Sequence, residues 1–304
     1  MTHIFIVNPH AGQKTFADDL RAKLANIEGL NYFVFNTRYA GYETELVRKI
    51  QHIFEGEKLR FYCCGGSGTM RKMLSGLENL EETEVAFFPC GLTNDFLMVF
   101  GKDEKRFHQI EELINGEVIK VDYIQTNYGV ALNTFSTGFD ADYVTLFDKY
   151  RMLSVFNEQI PYSLAILCSL FVSRHEAYEV CIDDDKQLEG SFSEIIFGNG
   201  NVLGGNMYFY RDINFNDGYA GCCMIPNMRR LKLFAILSAL KKKEYDEIET
   251  KASCFKCKNI RIVRKDGAPF SMNLDGEIIH NIREWSAHIV HEGLHFVVPK
   301  GVSL

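Results

Sequence analysis

The first 121 residues alternate short apolar runs with longer stretches in which apolar residues recur every three or four positions. The short runs are typical of buried strands, and the longer stretches are typical of amphipathic helices. The predicted strands are Ile4–Val7, Tyr32–Phe35, Leu59–Cys64 and Val85–Phe88. The predicted helices are Phe16–Asn26, Glu43–Glu55 and Met70–Leu77. This alternation predicts a parallel sheet covered on both faces, with ligands bound at the carboxyl ends of the strands.

Beyond Val121 the pattern changes, because strand candidates now follow one another with few helices between them. Tyr178–Ile182 and the run from Leu188 flank a polar turn, which predicts a hairpin. The other predicted elements are the strands Phe192–Phe197, Tyr219–Ile225, Ile260–Arg264 and Ala287–Val290, and the helix Leu231–Lys243. The predicted domains are therefore an α/β domain over residues 1–121 and an antiparallel β domain over 122–295, with the tail at about 296–304 expected to return to the first.

Composition limits the class of protein. The net charge of −7 gives no electrostatic footprint for nucleic acid. The longest apolar stretch, Ser163–Val172, has about half the length of a membrane-spanning helix. The chain starts directly in an apolar strand, without the features of a signal peptide, and its nine cysteines include adjacent pairs inside apolar runs. We therefore expect a complete cytoplasmic protein in a reducing compartment.

A glycine-bearing loop follows three of the four strands predicted in the first domain. These loops are Asn8–Gly12, Gly65–Thr69 and Pro89–Asp95. Glycine lets backbone N–H groups approach an anion, and the helix predicted after the second loop adds its positive end. The second loop has neither the lysine of a Walker loop nor the third glycine of a dinucleotide fingerprint. The sequence therefore predicts a phosphate site of another kind at this edge of the sheet.

The same loops resemble motifs of the diacylglycerol kinase and sphingosine kinase-like family of lipid kinases. NPHAG at Asn8–Gly12 resembles NPxSG, GGSGT at Gly65–Thr69 resembles GGDGT, and PCGLTNDF at Pro89–Phe96 resembles PxGTxNDF. The second half continues the resemblance, in family order, at Asn133–Asp140, at Gly204–Met207 with Asp217-Gly218, and at Asn273–Glu277. Ser136 replaces the first glycine of the Asn133–Asp140 motif. The resemblance covers nearly the whole chain.

This resemblance implies a phosphofructokinase-like α/β nucleotide domain followed by a β-sandwich domain, with ATP and lipid meeting in the cleft between them. It implies transfer of the ATP γ-phosphate to a lipid hydroxyl. Asp275 would be the general base, with Glu277 beside it, although Asp275-Gly276 alone predicts no more than a hairpin turn. The implied nucleotide-binding residues are Asn8, Gly12, Thr37, Gly65, Gly66, Ser67, Gly68, Thr69, Thr93, Asn94 and Asp95.

Four further residues depart from the family pattern, at the nucleotide and metal motifs. Ser67 stands at the aspartate of GGDGT, Leu92 at a threonine, Ala11 at a serine, and Gly221 at the second aspartate of a structural metal motif. A serine hydroxyl is a weaker Mg²⁺ ligand than a carboxylate, so the site loses a negative charge. Two interpretations stay open: a working kinase, and a family member that binds nucleotide or lipid with little transfer activity. The expected metal ligands are Asp95, Asp122 and Asp217.

The substrate is less well defined. Diacylglycerol, monoacylglycerol, a sphingoid base, phosphatidylglycerol and undecaprenol all stay open, and so does a homodimer. A soluble substrate, as in NAD kinases, is disfavoured by the NDF and LDGE segments. A lipid substrate requires peripheral contact with a membrane, for which Met228–Lys243 is one candidate because it combines an apolar stripe with basic residues. The alternative is an ordinary packed helix with a basic end.

Overall fold

The computed structural model describes residues 1–11, 16–80, 82–90, 94–150, 152–153, 159–172, 176–204 and 206–303. The α-helices are α1 (Phe16–Ala25), α2 (Tyr42–Ile53), α3 (Ser67–Leu74), α4 (Ile110–Ile114), α5 (Phe139–Tyr150), α6 (Gln159–Phe171), α7 (Arg230–Lys242) and α8 (Tyr245–Glu249). A 3₁₀ segment spans Asp95–His108.

The strands follow in chain order. They are β1 (Thr2–Val7), β2 (Tyr32–Asn36), β3 (Leu59–Gly65), β4 (Glu84–Pro89), β5 (Glu117–Thr126), β6 (Gly129–Ala131), β7 (Thr134–Gly138), β8 (Ala177–Ile182), β9 (Lys186–Gly198), β10 (Val202–Leu203), β11 (Met207–Tyr208), β12 (Ala220–Pro226), β13 (Ser253–Cys257), β14 (Asn259–Arg264), β15 (Phe270–Leu274), β16 (Glu277–Ile282) and β17 (Glu284–Val298).

The first part of the chain is the α/β domain that the sequence predicts. Its four strands pair in parallel in the order β2-β1-β3-β4. β1, β3 and β4 are buried along their whole length, as expected of strands covered on both faces. Helix α3 begins at Ser67, three residues before the predicted start, and this shift places its first turn at the end of β3.

Two strands connect the first domain to the rest of the chain. β17 pairs with β14 through Glu284–His288, and further along it pairs in parallel with β4 through His295–Val297. β5 lies antiparallel to β17 along both of these regions. The chain thus returns to the first sheet near its C-terminus, and the predicted domain boundary at residues 121 and 122 falls inside β5.

The second part is an antiparallel β-sandwich, which confirms the predicted fold class. One sheet has the order β16-β15-β7-β9-β12-β13, and the other contains β8, β14, β17, β5 and β6. The long strand β9 pairs with β8 at one end and with β7 and β12 at the other. Between the sheets lies an apolar core in which Trp285 and Phe135 are in contact.

A helical layer covers the outer face of the sheet that contains β9 and β12. Helices α5, α6 and α7 contribute to one apolar cluster with the side chains of Ile196, Cys223 and Ile225. Helix α7 was predicted from the sequence, whereas α5 and α6 were not. None of the helices in the described part of the chain is long and apolar enough to cross a membrane.

Candidate active site

The three glycine-bearing loops meet at the carboxyl edge of the parallel sheet. The backbone N–H of Asn8 donates to the carbonyl of Cys64 at 3.0 Å, and that of Cys90 donates to the carbonyl of Gly65 at 2.8 Å. The N–H of Thr37 donates to Val7 at 2.8 Å, which brings the end of β2 beside the first loop. The structure therefore brings together the strand ends that the sequence assigns to nucleotide binding.

The phosphate loop, Gly65–Thr69, runs directly into the first turn of α3. Gly66 is the N-cap in an extended conformation and makes no side-chain cap hydrogen bond to the helix. Asn8 Nδ2 donates to Thr69 Oγ1 at 3.0 Å and joins the first loop to this helix. The positive end of a helix favours binding of an anion.

The structure describes some of the predicted residues of this site and not others. Gly12 and Thr93 lie outside the described residues, as does Leu92, one of the departures from the family pattern. Asn94 precedes the 3₁₀ segment, and Asp95 is its first residue. Thus α3 and the segment that begins at Asp95 both follow strands that end at this edge of the sheet.

Asp275 lies in the turn between β15 and β16, at the junction of the two domains. Its φ of +49° and the φ of +88° at Gly276 are those of a tight hairpin, so the turn suggested by the dipeptide is present. Its carboxylate accepts backbone N–H groups from Leu132 at 2.7 Å, Asn133 at 3.1 Å and Thr134 at 2.8 Å. Burial raises the pKa of Asp275, although these three donors oppose the shift.

Two buried carboxylates, Asp140 and Asp275, and the half-buried carboxylate of Asp95 interact electrostatically at this junction, and we call the three the acidic cluster. Burial raises the pKa of Asp95 to about 7, and the charges of Asp140 and Asp275 add to the shift. Burial also raises the pKa of Asp140, against donors from Ser136 Oγ at 2.6 Å and Asn273 Nδ2 at 2.5 Å. The repulsion of Asp95 by the other two charges is what a bound cation or a proton on Asp95 relieves.

Glu277 is held by cations from the first domain. Arg71 and Lys72 of α3 both form ion pairs with it, the second at 3.4 Å. Burial opposes the change, but these two neighbours lower the pKa of Glu277 below its usual value. The pair between Arg71 and Glu277 also joins α3 to the β-sandwich across the cleft.

Sequence reasoning did not select two residues of this site. Asp140 closes the Asn133–Asp140 motif, so its place in that motif was a signal that could have identified it. Arg71 carries no comparable signal, because its partner Glu277 lies 206 positions later in the chain.

Asp122 and Asp217, expected as metal ligands, contact protein donors instead. The fully buried carboxylate of Asp122 accepts the N–H groups of Gly218 and Glu292, each at 2.7 Å, and lies 3.0 Å from Nδ1 of His291. Asp217 pairs with Lys256 at 2.6 Å. Within the described residues no three acidic, histidine or cysteine side chains gather closely enough to hold a metal ion, and the metal role of Asp122 and Asp217 stays a prediction.

Family models account for almost the whole chain. The model described as the diacylglycerol kinase catalytic domain matches residues 2–126, and the one described as the YegS C-terminal NAD kinase beta sandwich-like domain matches residues 133–292. The chain therefore belongs to the diacylglycerol kinase-like family of lipid kinases.

Individual relatives agree with this family. YtlR of Bacillus subtilis strain 168, a provisionally named lipid kinase, is 25% identical over 300 residues, which are 92% of this chain and 94% of the relative. A diacylglycerol kinase of Staphylococcus epidermidis strain RP62A is 23% identical over 278 residues, 90% of this chain and 84% of the relative. A solved diacylglycerol kinase of Bacillus anthracis strain Sterne has the same fold, with a TM-score of 0.67 at 19% identity over 99% of this chain and 98% of that one.

Proposed function

We propose that this protein transfers the γ-phosphate of ATP to the hydroxyl group of a diacylglycerol-like lipid at the cytoplasmic surface of a membrane. The observation that carries the proposal is the pairing of Arg71 and Lys72 of α3 with Glu277, which brings α3 beside Asp275 of the acidic cluster. An anion site beside buried carboxylates suits phosphoryl transfer, in which positioning and electrostatics do most of the work.

The nucleotide phosphates bind the phosphate loop and the first turn of α3. The N–H groups there donate to phosphate oxygens, and Thr69, held by Asn8, forms one wall of this site. Thr37 and the segment that contains Asn94 flank it at the neighbouring strand ends. Arg71, with its guanidinium at the cleft, adds positive charge near the transferred group.

Asp275 accepts the proton of the attacking hydroxyl. The lipid oxygen forms a bond to the γ-phosphorus. The bond between the γ-phosphorus and the oxygen that bridges it to the β-phosphorus breaks, and the electron pair of that bond leaves with ADP. Three backbone donors fix the direction of the Asp275 carboxylate, so little reorganisation accompanies the step. Its raised pKa makes it a stronger base than an exposed aspartate.

Mg²⁺ would be held beside Asp95, because the charges of Asp140 and Asp275 favour a cation there. Magnesium in such enzymes is held by one or two carboxylates together with phosphates and water, so a complete protein cage is not required. When bound, it would neutralise charge on the phosphates. Ser67 supplies a neutral oxygen where relatives have a carboxylate, so we expect weaker magnesium binding than in a family member with aspartate.

The test is transfer of radiolabelled phosphate from Mg-ATP to a panel of lipids in mixed micelles. Wild type, Asp275→Ala and Ser67→Asp are compared, with Asp18→Asn on the exposed surface of α1 as the matched control. We expect transfer by wild type and Asp18→Asn, a loss of about 100-fold or more in Asp275→Ala, and an equal or higher rate in Ser67→Asp. An unchanged rate in Asp275→Ala removes Asp275 from the role of base.

A second candidate is a protein that binds nucleotide or lipid with little transfer activity. The observation that favours it is the engagement of Glu277 by Arg71 and Lys72, together with the neutral Ser67. No phosphate transfer by the wild type, with transfer by Ser67→Asp, would favour this second candidate. No transfer by either protein, with ATP binding detected by titration, would also favour it.

A further inference from the structure

Helix α6 presents an apolar face to solvent. Its 13 residues include no charged side chain. Ile160, Leu167 and Phe171 are 40%, 54% and 59% exposed, and their spacing of seven and four residues aligns them along one face. The opposite face is buried, with Ala165 and Ser169 fully covered. A helix on the surface of a globular protein ordinarily has polar side chains on its outer face. The outer face of α6 is apolar instead.

Helix α7 extends the same apolar surface. Leu233, Ile236 and Leu240 pack inward, whereas Leu231 and Phe234 are 86% and 57% exposed. The guanidinium of Arg230 lies 4.7 Å from the centre of the Phe171 ring, so the outer faces of α6 and α7 adjoin. We call this continuous surface the α6–α7 face and define it by Leu167, Phe171, Leu231 and Phe234.

Basic side chains lie at both ends of α7, beside the α6–α7 face. Residues 226–243 contain six basic side chains and no acidic one, although the chain as a whole has a net charge of −7. None of the six forms an ion pair with another described residue. Lys241 follows Phe234 by seven positions and therefore lies on the same outer line of α7. The basic residues are Arg229, Arg230, Lys232, Lys241, Lys242 and Lys243.

We propose that the α6–α7 face docks on a bilayer containing anionic phospholipid. The exposed aromatic and aliphatic side chains enter the boundary between headgroups and acyl chains, and the basic side chains contact the lipid phosphates. A protein partner or a second copy of this acidic chain would need a matching apolar patch rimmed by carboxylates, whereas an anionic bilayer offers both features at once. The proposal deepens the lipid-kinase function proposed above and rests on it only for the identity of the substrate.

The position of the α6–α7 face agrees with this occupant. Val172, which directly follows α6, lines a cavity of about 130 Å³ together with Thr137, Phe192 and Phe270. Thr137 follows Ser136, whose hydroxyl donates to Asp140 of the acidic cluster. The cavity, which is also lined by Asp142, Glu176 and Arg264, therefore lies between the end of α6 and β7, the strand that carries Ser136.

The experiment is co-sedimentation of the full chain with vesicles of phosphatidylcholine, with and without phosphatidylglycerol. We expect binding only to the anionic vesicles and a fall in binding as salt is added. Leu231→Ser with Phe234→Ser should weaken binding at least about 10-fold, since both side chains are exposed and their loss leaves the core intact. Lys241→Gln with Lys242→Gln should weaken it about fivefold per lysine, from about 1 kcal/mol each.

The matched control is Ile53→Ser, which removes a side chain that is 72% exposed at the end of α2 in the other domain. Equal binding to neutral and anionic vesicles would overturn the proposal, as would full binding by Leu231→Ser with Phe234→Ser. A dimer of the wild type that this double variant dissociates, measured by light scattering, would assign the face to a second copy instead.

The same variants separate this proposal from the proposed function. Transfer to a short-chain diacylglycerol in detergent micelles does not require docking, so the double variant should keep the wild-type rate there. Vesicle binding without transfer by the wild type would leave docking in place and count against the kinase. Micellar transfer without vesicle binding would support the kinase and reject the docking face.

Discussion

At Gly65 the backbone of the phosphate loop passes so close to α3 that no side chain fits. A Cβ there would lie 2.6 Å from the Cβ and the Oγ1 of Thr69, whereas a Cβ at Gly68 would meet nothing within 4 Å. Gly65→Ala is therefore expected to lower the free energy of unfolding by about 1–3 kcal/mol and to weaken ATP binding. Denaturant unfolding and nucleotide titration measure both effects.

Gly68→Ala is the matched control for this prediction, because Gly68 lies inside α3 with an ordinary backbone conformation. Alanine favours a helix over glycine by up to about 1 kcal/mol, so this variant should be as stable as the wild type or slightly more stable. Equal losses of stability in the two variants would contradict the close approach at Gly65.

The raised pKa of Asp95 makes stability depend on pH. An acid whose pKa is about 7 in the folded protein and near 3.8 when unfolded favours folding fully below the lower value, and this advantage is lost as pH rises through 7. Asp95→Asn should therefore be more stable than wild type at pH 8, by on the order of 2–4 kcal/mol. The difference should disappear near pH 4, measured by denaturant unfolding at both values. A constant difference at both pH values would exclude the titration of Asp95 as its cause.

For single residues, the sequence predicted the candidate site residues that lie in loops after strands. It did not predict those whose role depends on partners far away in the chain. The glycine loops and Asp275 are local signals, and the structure brings them to one edge. The ion pair of Arg71 and the carboxylate neighbours of Asp95 arise only when the two domains pack together. No spacing within the chain records such a contact, because it depends on tertiary structure.

Among the elements, β3, β4 and α4 are held together by one buried arginine. Arg60 contacts Glu84 through Nε at 2.7 Å and donates to the carbonyls of Leu113 and Ile114, each at 3.0 Å. Removing Arg60 leaves the buried Glu84 with the exposed Lys58, at 2.6 Å, and removes the donor to the two carbonyls. Arg60→Ala is therefore expected to lower the free energy of unfolding by about 2–4 kcal/mol, measured by denaturant titration.

The comparison is Arg261→Ala, which breaks an ion pair with Glu284 of similar geometry, at 2.7 Å and 2.9 Å, on the protein surface. Both of its side chains are about half exposed, so water and salt screen the pair. We expect a loss below about 1 kcal/mol. A cost for Arg60→Ala no larger than this would show that burial adds nothing to the pair.

Hydrophobic periodicity predicted the elements that have one buried face, such as α2, α7 and the strands of the first sheet. It did not predict α6, because that helix is apolar on its outer face as well and has no polar side to reveal a period. β17 was predicted only at Ala287–Val290, since its 15 residues pass from one sheet into another and no single alternation persists along it. Hydrophobic periodicity therefore predicts an element only where the same face of it stays buried along its length.

For the whole molecule, the shared strands β5 and β17 predict cooperative unfolding. β17 contributes to the core of the sandwich through Trp285 and to the core of the first domain through Phe296. Loss of either core releases the strand that completes the other. We expect a single calorimetric transition, with equal calorimetric and van't Hoff enthalpies.

Fluorescence of Trp285, the single tryptophan, reports on the sandwich, and far-ultraviolet circular dichroism reports on both domains. The two signals should change at the same denaturant concentration. Two separate transitions, or a fluorescence change that precedes the change in circular dichroism, would mean that the domains unfold independently despite the shared strands.

The return of the chain to β4 also bears on how the protein is made. Roughly 200 residues of synthesis separate the end of β4 from the end of β17, the strand that pairs with its free edge. At ordinary rates of translation this interval lasts about 10–40 s. During that time the nascent first sheet displays an unpaired, apolar edge, which is a template for pairing with other chains. We therefore expect aggregation to compete with folding mainly during synthesis, before β17 covers this edge.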